Sequence, residues 1–299
     1  MSQDPMTGGI HAHENRAARM RRLRRYGFPC LAVAALLLGA CARTPSLSKE
    51  EKSRVVEANL QLAIAYMQDG RFQVAEKKLQ KAFDTDPKQP QTHMTYGLFY
   101  SLTTQPKKAD KHYRRAVKLD PDNPDILNNY AQFLCQTGKV GPAREAFLRA
   151  ARDPVYQTPE IPYTNLAICL ISNDELEEAE TYLQRALSQS PGQPIALLHM
   201  SGLKYQLREY LSARAYLQRY ADTGETYTAA SLWLGVRIER QLGDRNAEKR
   251  YARALRASFP DAPETRLLEE TRGKARGASP SAGRGGPPAE SRGEARGED

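Results

Sequence analysis

Small and bulky residues follow one another along this chain in a pattern that returns at a fixed interval. Ala63, Gly97, Ala131, Ala167, Ser201 and Gly235 stand 34, 34, 36, 34 and 34 residues apart. Twelve residues after each comes an alanine: Ala75, Ala109, Ala143, Ala179, Ala213 and Ala247. Four further on stands a bulky side chain (Leu79, Tyr113, Phe147, Leu183, Leu217, Tyr251), and three beyond that Ala82, Ala116, Ala150, Ala186, Tyr220 and Ala254. A period of this length marks a solenoid built from one repeated unit. Within a unit the apolar residues fall three and four apart, as in Leu62, Ala63 and Tyr66 and then Ala75, Leu79 and Ala82, which predicts two amphipathic helices. Gly70 and Gly138 stand where the chain turns between them, a place that favours residues tolerant of positive φ. Asp86-Pro87, Asp120-Pro121 and Ser190-Pro191 end second helices, because Pro disfavours helix in the residue before it. Pro154 and Pro260 lie one position from the corresponding place. A single pair cannot bury its own apolar face, so neighbours must stack around a concave groove. The predicted fold is all-α, an α-solenoid of six tandem helix pairs over residues 55–271.

The small-large-small order resembles the tetratricopeptide repeat (TPR), over roughly residues 55–261, and the resemblance implies a right-handed superhelix. Two units depart from the pattern. The third has two extra residues near Ala151–Glu160, which predicts a longer exit loop. In the fifth, Ser201, Lys204 and Tyr220 replace the usual small or aromatic residues, which predicts looser packing.

Composition changes this picture mainly at the ends. The 299 residues carry 44 Lys+Arg against 35 Asp+Glu, a formal charge of +9, with 40% hydrophobic residues. That is apolar enough for a real core. The excess charge invites a nucleic-acid reading, yet residues 1–40 hold a net +4 and residues 272–299 a net +2, which leaves +3 on the middle. Residues 272–299 include seven glycines, three prolines and no apolar residue larger than Ala. They are expected to form a disordered, solvated Gly/Arg-rich tail, not a nucleic-acid arm.

Arg21, Arg22, Arg24 and Arg25 precede an apolar run from Phe28 to Leu38, too short for a spanning helix of about 20 residues. Residues 1–40 therefore read as a signal peptide, with 1–19 an upstream extension because a start at Met20 gives an ordinary length. The run ends in Leu38-Gly39-Ala40-Cys41, which resembles the bacterial lipobox. That resemblance implies a diacylglycerol on the Cys41 thiol, cleavage before it and acylation of the new amine. Two or three acyl chains make a stable anchor, with residues 41–54 as a tether. Ala42 rather than Asp follows the Cys, which by resemblance to enteric sorting implies the periplasmic face of the outer membrane.

Several strings narrow the family. Asn128-Asn129-Tyr130-Ala131-Gln132-Phe133-Leu134, Thr158-Pro159-Glu160 and Tyr163-Thr164-Asn165-Leu166 resemble the PilF/PilW family of TPR lipoproteins of type IV pilus biogenesis. So do the runs Ala213–Tyr220 and Ser231–Glu239. The resemblance runs from the lipobox to about Leu268 and implies a pilotin. Such a lipoprotein helps the pilus secretin reach the outer membrane and assemble its multimer, and so supports pilus formation and twitching motility.

In TPR arrays the first helix of each unit faces the groove. The candidates on that geometry are Leu60, Ile64 and Met67, then Met94 and Leu98, then Asn128, Asn129 and Gln132, then Thr164 and Ile168. Apolar anchors with a few amides suit an extended peptide or a strand edge, although the same residues could pack helix on helix. Asn is a poor helix former, so Asn128 and Asn129 in mid-helix imply hydrogen-bonding work. Cys135 and Cys169 occupy nearly equivalent places in adjacent units. Such pairs occur in some members of the family, and export supplies an oxidising compartment where disulfides persist. Packed helices 8–10 Å apart against a limit of about 7 Å between bridged Cα atoms leave both a disulfide and two buried thiols open.

No motif for chemistry appears. Past the signal only His93, His112 and His199 remain among histidines, with no H-E-x-x-H and no G-x-S-x-G. Cys spacing fits no zinc site, and the Asp120–Asp125 run lacks the Gly and terminal Glu of a calcium loop. The expectation is a non-enzyme with no metal, no small-molecule substrate and no cofactor beyond the lipid on Cys41. Its partner would be the secretin, with membrane contact through the lipid anchor only. The alternative is a lipid-anchored adaptor for peptidoglycan hydrolases or synthases.

Overall fold

The computed structural model describes residues 47–277. The expected signal peptide 1–40, Cys41 and residues 278–299 lie outside the described residues. Within them are thirteen α-helices and no strand. They run α1 (Lys49–Gln68), α2 (Phe72–Thr85), α3 (Pro90–Leu102), α4 (Pro106–Leu119), α5 (Pro124–Gln136), α6 (Val140–Ala151) and α7 (Glu160–Ser172). Then follow α8 (Leu176–Gln189), α9 (Pro194–Gln206), α10 (Tyr210–Asp222), α11 (Ala229–Leu242), α12 (Arg245–Ser258) and α13 (Pro263–Gly277). Odd and even helices up to α12 are the first and second helices of six units. No described helix is long and apolar enough to cross a membrane.

The chain enters the solenoid earlier than the pattern implied. Ser48 caps α1: its hydroxyl accepts from Glu51 N at 3.2 Å, and the Glu51 carboxylate accepts from Ser48 N at 2.8 Å. This reciprocal cap satisfies two donors that a helix start leaves open. Residues 49–54 thus belong to α1 and not to the expected tether 41–54. At the other end, α13 runs to Gly277, so residues 272–277 are helix and not part of the expected tail 272–299.

Each unit closes in the same way. The residue after the turn donates its N–H five residues back, in Arg71→Tyr66, Gln105→Tyr100, Lys139→Leu134, Glu175→Leu170, Glu209→Lys204 and Asp244→Glu239, which satisfies a carbonyl at the helix end. The residue before that donor is left-handed. It is Gly70, Gly138 or Gly243 in three units but Thr104, Asp174 and Arg208 in the other three, the last three with φ between 56° and 63°. For a β-branched residue that conformation is strained by about 1–2 kcal/mol. Thr104→Gly is expected to raise stability by about 1 kcal/mol, read as a higher melting temperature.

The small-large-small code is a steric match made inside each unit. Gly97 faces Tyr113 so closely that an added Cβ would lie 2.8 Å from the ring, and Gly235 faces Tyr251 at 2.7 Å. Where the partner sixteen residues on is Leu or Phe, the small residue is Ala or Ser: Ala63 with Leu79, Ala131 with Phe147, Ala167 with Leu183, Ser201 with Leu217. All of these residues except the half-buried Tyr251 are buried. Gly97→Ala should therefore cost about 1–3 kcal/mol through overpacking. Adding Tyr113→Leu should recover most of that loss in denaturant unfolding, because it recreates the Ala–Leu pair of units one and four.

The fifth unit is not loosely packed. Ser201, Met200, Leu203, Leu217 and Tyr220 are all at most 5% exposed. The polar replacements find partners: the Ser201 hydroxyl donates to Ala213 O at 2.8 Å, and the Tyr220 hydroxyl to Thr226 O at 3.1 Å. The Lys204 ammonium sits 2.7 Å from Glu180 and 3.0 Å from Glu209. The pattern failed here because it scores residue types, whereas each hydroxyl or ammonium is satisfied by a backbone carbonyl or a carboxylate, which the code does not record.

The third unit does leave by a longer loop, residues 152–159 against 86–89, 120–123 and 190–193. Its Tyr156 hydroxyl donates to Asp125 at 3.1 Å. Beyond the sixth unit, α13 packs on α11 and α12 where the next first helix would lie. Leu268 is buried in the last hydrophobic cluster, Thr265 donates to Phe259 O at 2.6 Å and Arg256 pairs with Glu269 at 2.6 Å. This is the cap that a repeat array needs over its final apolar face.

Candidate protein-binding groove

Curvature follows from which helices touch. First helices pack in series, α1 on α3, α3 on α5 and so on to α11 on α13, whereas the second helices of neighbouring units stand farther apart, bridged by a long side chain where Arg144 on α6 reaches Glu178 on α8 at 3.1 Å. Units that meet along one side and splay on the other curve toward the side that meets. The first helices therefore line the concave face.

The ten candidate positions divide by burial. Leu60, Met67, Asn128 and Thr164 are buried at 7%, 5%, 6% and 1% exposure. Ile64, Met94, Leu98, Asn129, Gln132 and Ile168 are half-buried and keep part of their surface. Leu60 and Met67 belong to the core of units one and two, and Ile64 and Leu98 pack against its edge. Met94 packs against Ala109, Tyr113 and Phe133. The Thr164 hydroxyl donates to Glu160 O in its own helix at 2.7 Å. Ile64, Met94 and Leu98 are thus the apolar candidates that the first two units leave partly open, while Leu60, Met67 and Thr164 hold helices together.

The two asparagines do hydrogen-bond, but inside the protein. Asn128 Oδ1 accepts from Asn165 Nδ2 at 3.0 Å, a link from α5 to α7, and Asn129 Nδ2 donates to Asp125 O at 2.8 Å. Asn165 was not among the candidates, although its neighbour Thr164 was. One residue along a helix turns the side chain by about 100°, and the pairing crosses two units. Close by, Cys135 and Cys169 form a disulfide with Cα atoms 5.9 Å apart. Helices α5 and α7 are thus joined twice, by an amide pair and a covalent bond.

Two histidines sit behind the groove in the second unit. Only a protonated nitrogen can pair with a carbonyl, so His93 Nε2–H donates to Pro87 O at 3.1 Å, and its Nδ1 accepts from His112 Nδ1–H at 3.2 Å. Tyr96 and Tyr100 pack on the His112 ring. Burial, then His93 and Lys111, hold His112 down at about 4, and burial with the nearby Arg115 lowers His93. A His whose folded value is depressed binds its proton more readily when unfolded. Its neutral form therefore stabilises the fold fully above about pH 6.5, and the contribution is lost as pH falls toward 4. Allowing for partial exposure, the loss is about 1–2 kcal/mol. Thermal melts at pH 7.5 and 4.5 should show His112→Phe losing less on acidification than the parent.

Among the described residues no group of three or more His, Cys, Asp or Glu could hold a metal ion. What the inner face offers is a curved apolar and amide surface, with Arg237 stacked 4.2 Å over the Tyr205 ring toward its far end. Such a surface binds protein segments through side-chain anchors.

Two profiles of the tetratricopeptide repeat family match the chain, one over residues 112–144 and one over 90–123 and 162–193. Fold and inner face together define a TPR protein-binding scaffold. A crystal structure of PilW, described as a widely conserved type IV pilus biogenesis factor, superposes with a TM-score of 0.64 at 30% identity, covering 72% of this chain and 98% of that one. The structure of Pseudomonas aeruginosa PilF gives 0.62 at 29% identity, covering 74% and 99%. The P. aeruginosa type IV pilus assembly protein PilF is 29% identical over 218 residues, 73% of this chain and 86% of that protein. The chain belongs to the PilF/PilW family of type IV pilus TPR proteins.

Proposed function

We propose that this chain is an outer-membrane lipoprotein, anchored through Cys41, whose groove binds the type IV pilus secretin and promotes its localisation and multimer assembly. It acts as a pilotin and performs no chemistry of its own. The observation that supports this most is coverage: the chain matches PilW and PilF over 98% and 99% of their structures, so the shared part is the whole array and not one generic repeat. Ile64 and Leu98 are the apolar surface we assign to first contact with the partner.

A deletion strain tests the reading. Secretin multimers in the outer-membrane fraction should fall at least tenfold and twitching should stop. Normal multimer levels with intact twitching would overturn it. Co-purification of a peptidoglycan hydrolase or synthase as the dominant partner would favour the adaptor role instead. Cys41→Ala should move the protein into the soluble periplasmic fraction.

A further inference from the structure

The outer face of the first two units carries a concentration of positive charge that the groove does not use. Helices α2 and α4 hold nine Lys and Arg against three Asp and Glu, whereas α8 in the fourth unit holds one against three. On α4, Lys107, Lys111, Arg114 and Lys118 recur at helical spacing and are all exposed. They stand directly opposite the buried Ala109, Tyr113 and Ala116, and so form the outermost ridge of the convex side. Only Arg114 among the four has an acidic partner within ion-pair range, Asp110 at 2.7 Å.

The entry of the chain gives this ridge a direction. Leu47, the first described residue, lines a surface hollow of about 530 Å³ together with Lys52, Lys77 and Lys81, with Asp84 as its acidic member. The described chain thus begins on the basic outer side and not at the groove. Cys41 and Leu47 stand six positions apart, a span of at most about 20 Å when extended. Given the lipid anchor at Cys41, on which this inference rests, a bilayer must lie within that reach of Lys52, Lys77 and Lys81.

We propose that the convex basic face of units one and two, centred on Lys77, Lys81, Lys107, Lys111 and Lys118, rests on an anionic phospholipid surface and turns the groove away from it. Helix α12 carries a second basic outer face, five Lys and Arg against Glu248. A convex array meets a flat surface at one place only, and the tether selects the first units. Each Lys or Arg near such a surface strengthens binding by about fivefold, an attraction that salt screens.

The test uses the chain from residue 41 with Cys41→Ser, which contains every described helix and hydrophobic cluster and carries no lipid. Sedimentation is measured with phosphatidylcholine vesicles containing zero or 30% phosphatidylglycerol. Binding should require phosphatidylglycerol, vanish at 0.5 M NaCl and fall in Lys107→Glu/Lys111→Glu/Lys118→Glu by well over the roughly hundredfold loss that removing three charges alone would give. The neutral set Lys→Gln at the same positions should give a smaller loss with an unchanged melting curve. Lys249→Glu/Arg253→Glu on α12 should leave binding as it was. The proposal is overturned if phosphatidylglycerol makes no difference, which would assign the face to an acidic protein, if the triple variants bind like the parent, or if the α12 variant loses binding instead. Lipidation is read separately, from the intact mass of membrane-extracted protein, so failure of the anchor and failure of the basic face give different results.

Discussion

Replacing both Cys135 and Cys169 by alanine is expected to lower stability by about 3–4 kcal/mol. The bridge spans 34 residues, and a cross-link of that length removes chain entropy worth about this much from the unfolded state. Helix α5 lies in the third unit and α7 in the fourth, so the effect concerns one joint of the array. In a solenoid each unit contacts only its neighbours. Amide exchange should therefore accelerate most in α5 to α8 and least in α1 and α12. The Asn128–Asn165 hydrogen bond joins the same two helices and should hold them in register after reduction, so the oxidised and reduced proteins should share one far-ultraviolet circular dichroism spectrum. Equal unfolding midpoints with and without reductant would show that the bridge contributes nothing to the joint.

Arg214→Met should cost about 3 kcal/mol. Glu239 on α11 is 4% exposed and is held by both arms of the Arg214 guanidinium from α10, through Nε to Oε1 at 3.0 Å and Nη2 to Oε2. Hydrogen bonding to Glu239 raises the Arg214 pKa above its ordinary value. Removing Arg214 leaves a buried carboxylate unpaired, which is where such a loss is largest. Asp244, 3.7 Å from the same guanidinium, offers no compensation because it carries the same sign as Glu239. Adding Glu239→Leu should restore most or all of the loss, since a buried ion pair replaced by apolar residues of similar size is often neutral or better. A denaturant-unfolding cycle on the four proteins measures the coupling. If the double variant is as unstable as Arg214→Met alone, the cost came from lost packing by the arginine stem and not from the stranded charge.

Much of the fold was legible because its central contact is local. A small residue on one helix meets a bulky one sixteen positions later, and both belong to the same turn of chain, so their spacing survives in every unit. The matching of Gly97 to Tyr113 and Gly235 to Tyr251, against Ala or Ser to Leu or Phe elsewhere, was likewise present in the residues themselves. The cap α13 was harder to see, because its large apolar residues are Leu267 and Leu268 alone, and two adjacent residues make no period. The true start of α1 was hidden for a related reason. It depends on the reciprocal cap of Ser48 and Glu51, which a period of apolar residues does not record.

The candidate groove was legible only in outline. Spacing along the first helices placed the candidates on the helices that line the concave side, but Leu60, Met67 and Thr164 are buried between helices while Ile64 and Leu98 keep open surface. Helical spacing places a residue around its own axis and says nothing of how near the next helix comes.

From the residues alone came the six units, their helix pairs, the turns between them and the resemblance to the PilF/PilW family, because all of these rest on contacts at constant separation. The tertiary structure decided which inner-face side chains stay accessible, that Asn128 pairs with Asn165, that Cys135 meets Cys169, and that the entering chain lies on the basic outer side. Those features depend on how one unit is set against the next, and the crossing of two helices is fixed by their summed packing and by no single residue in either.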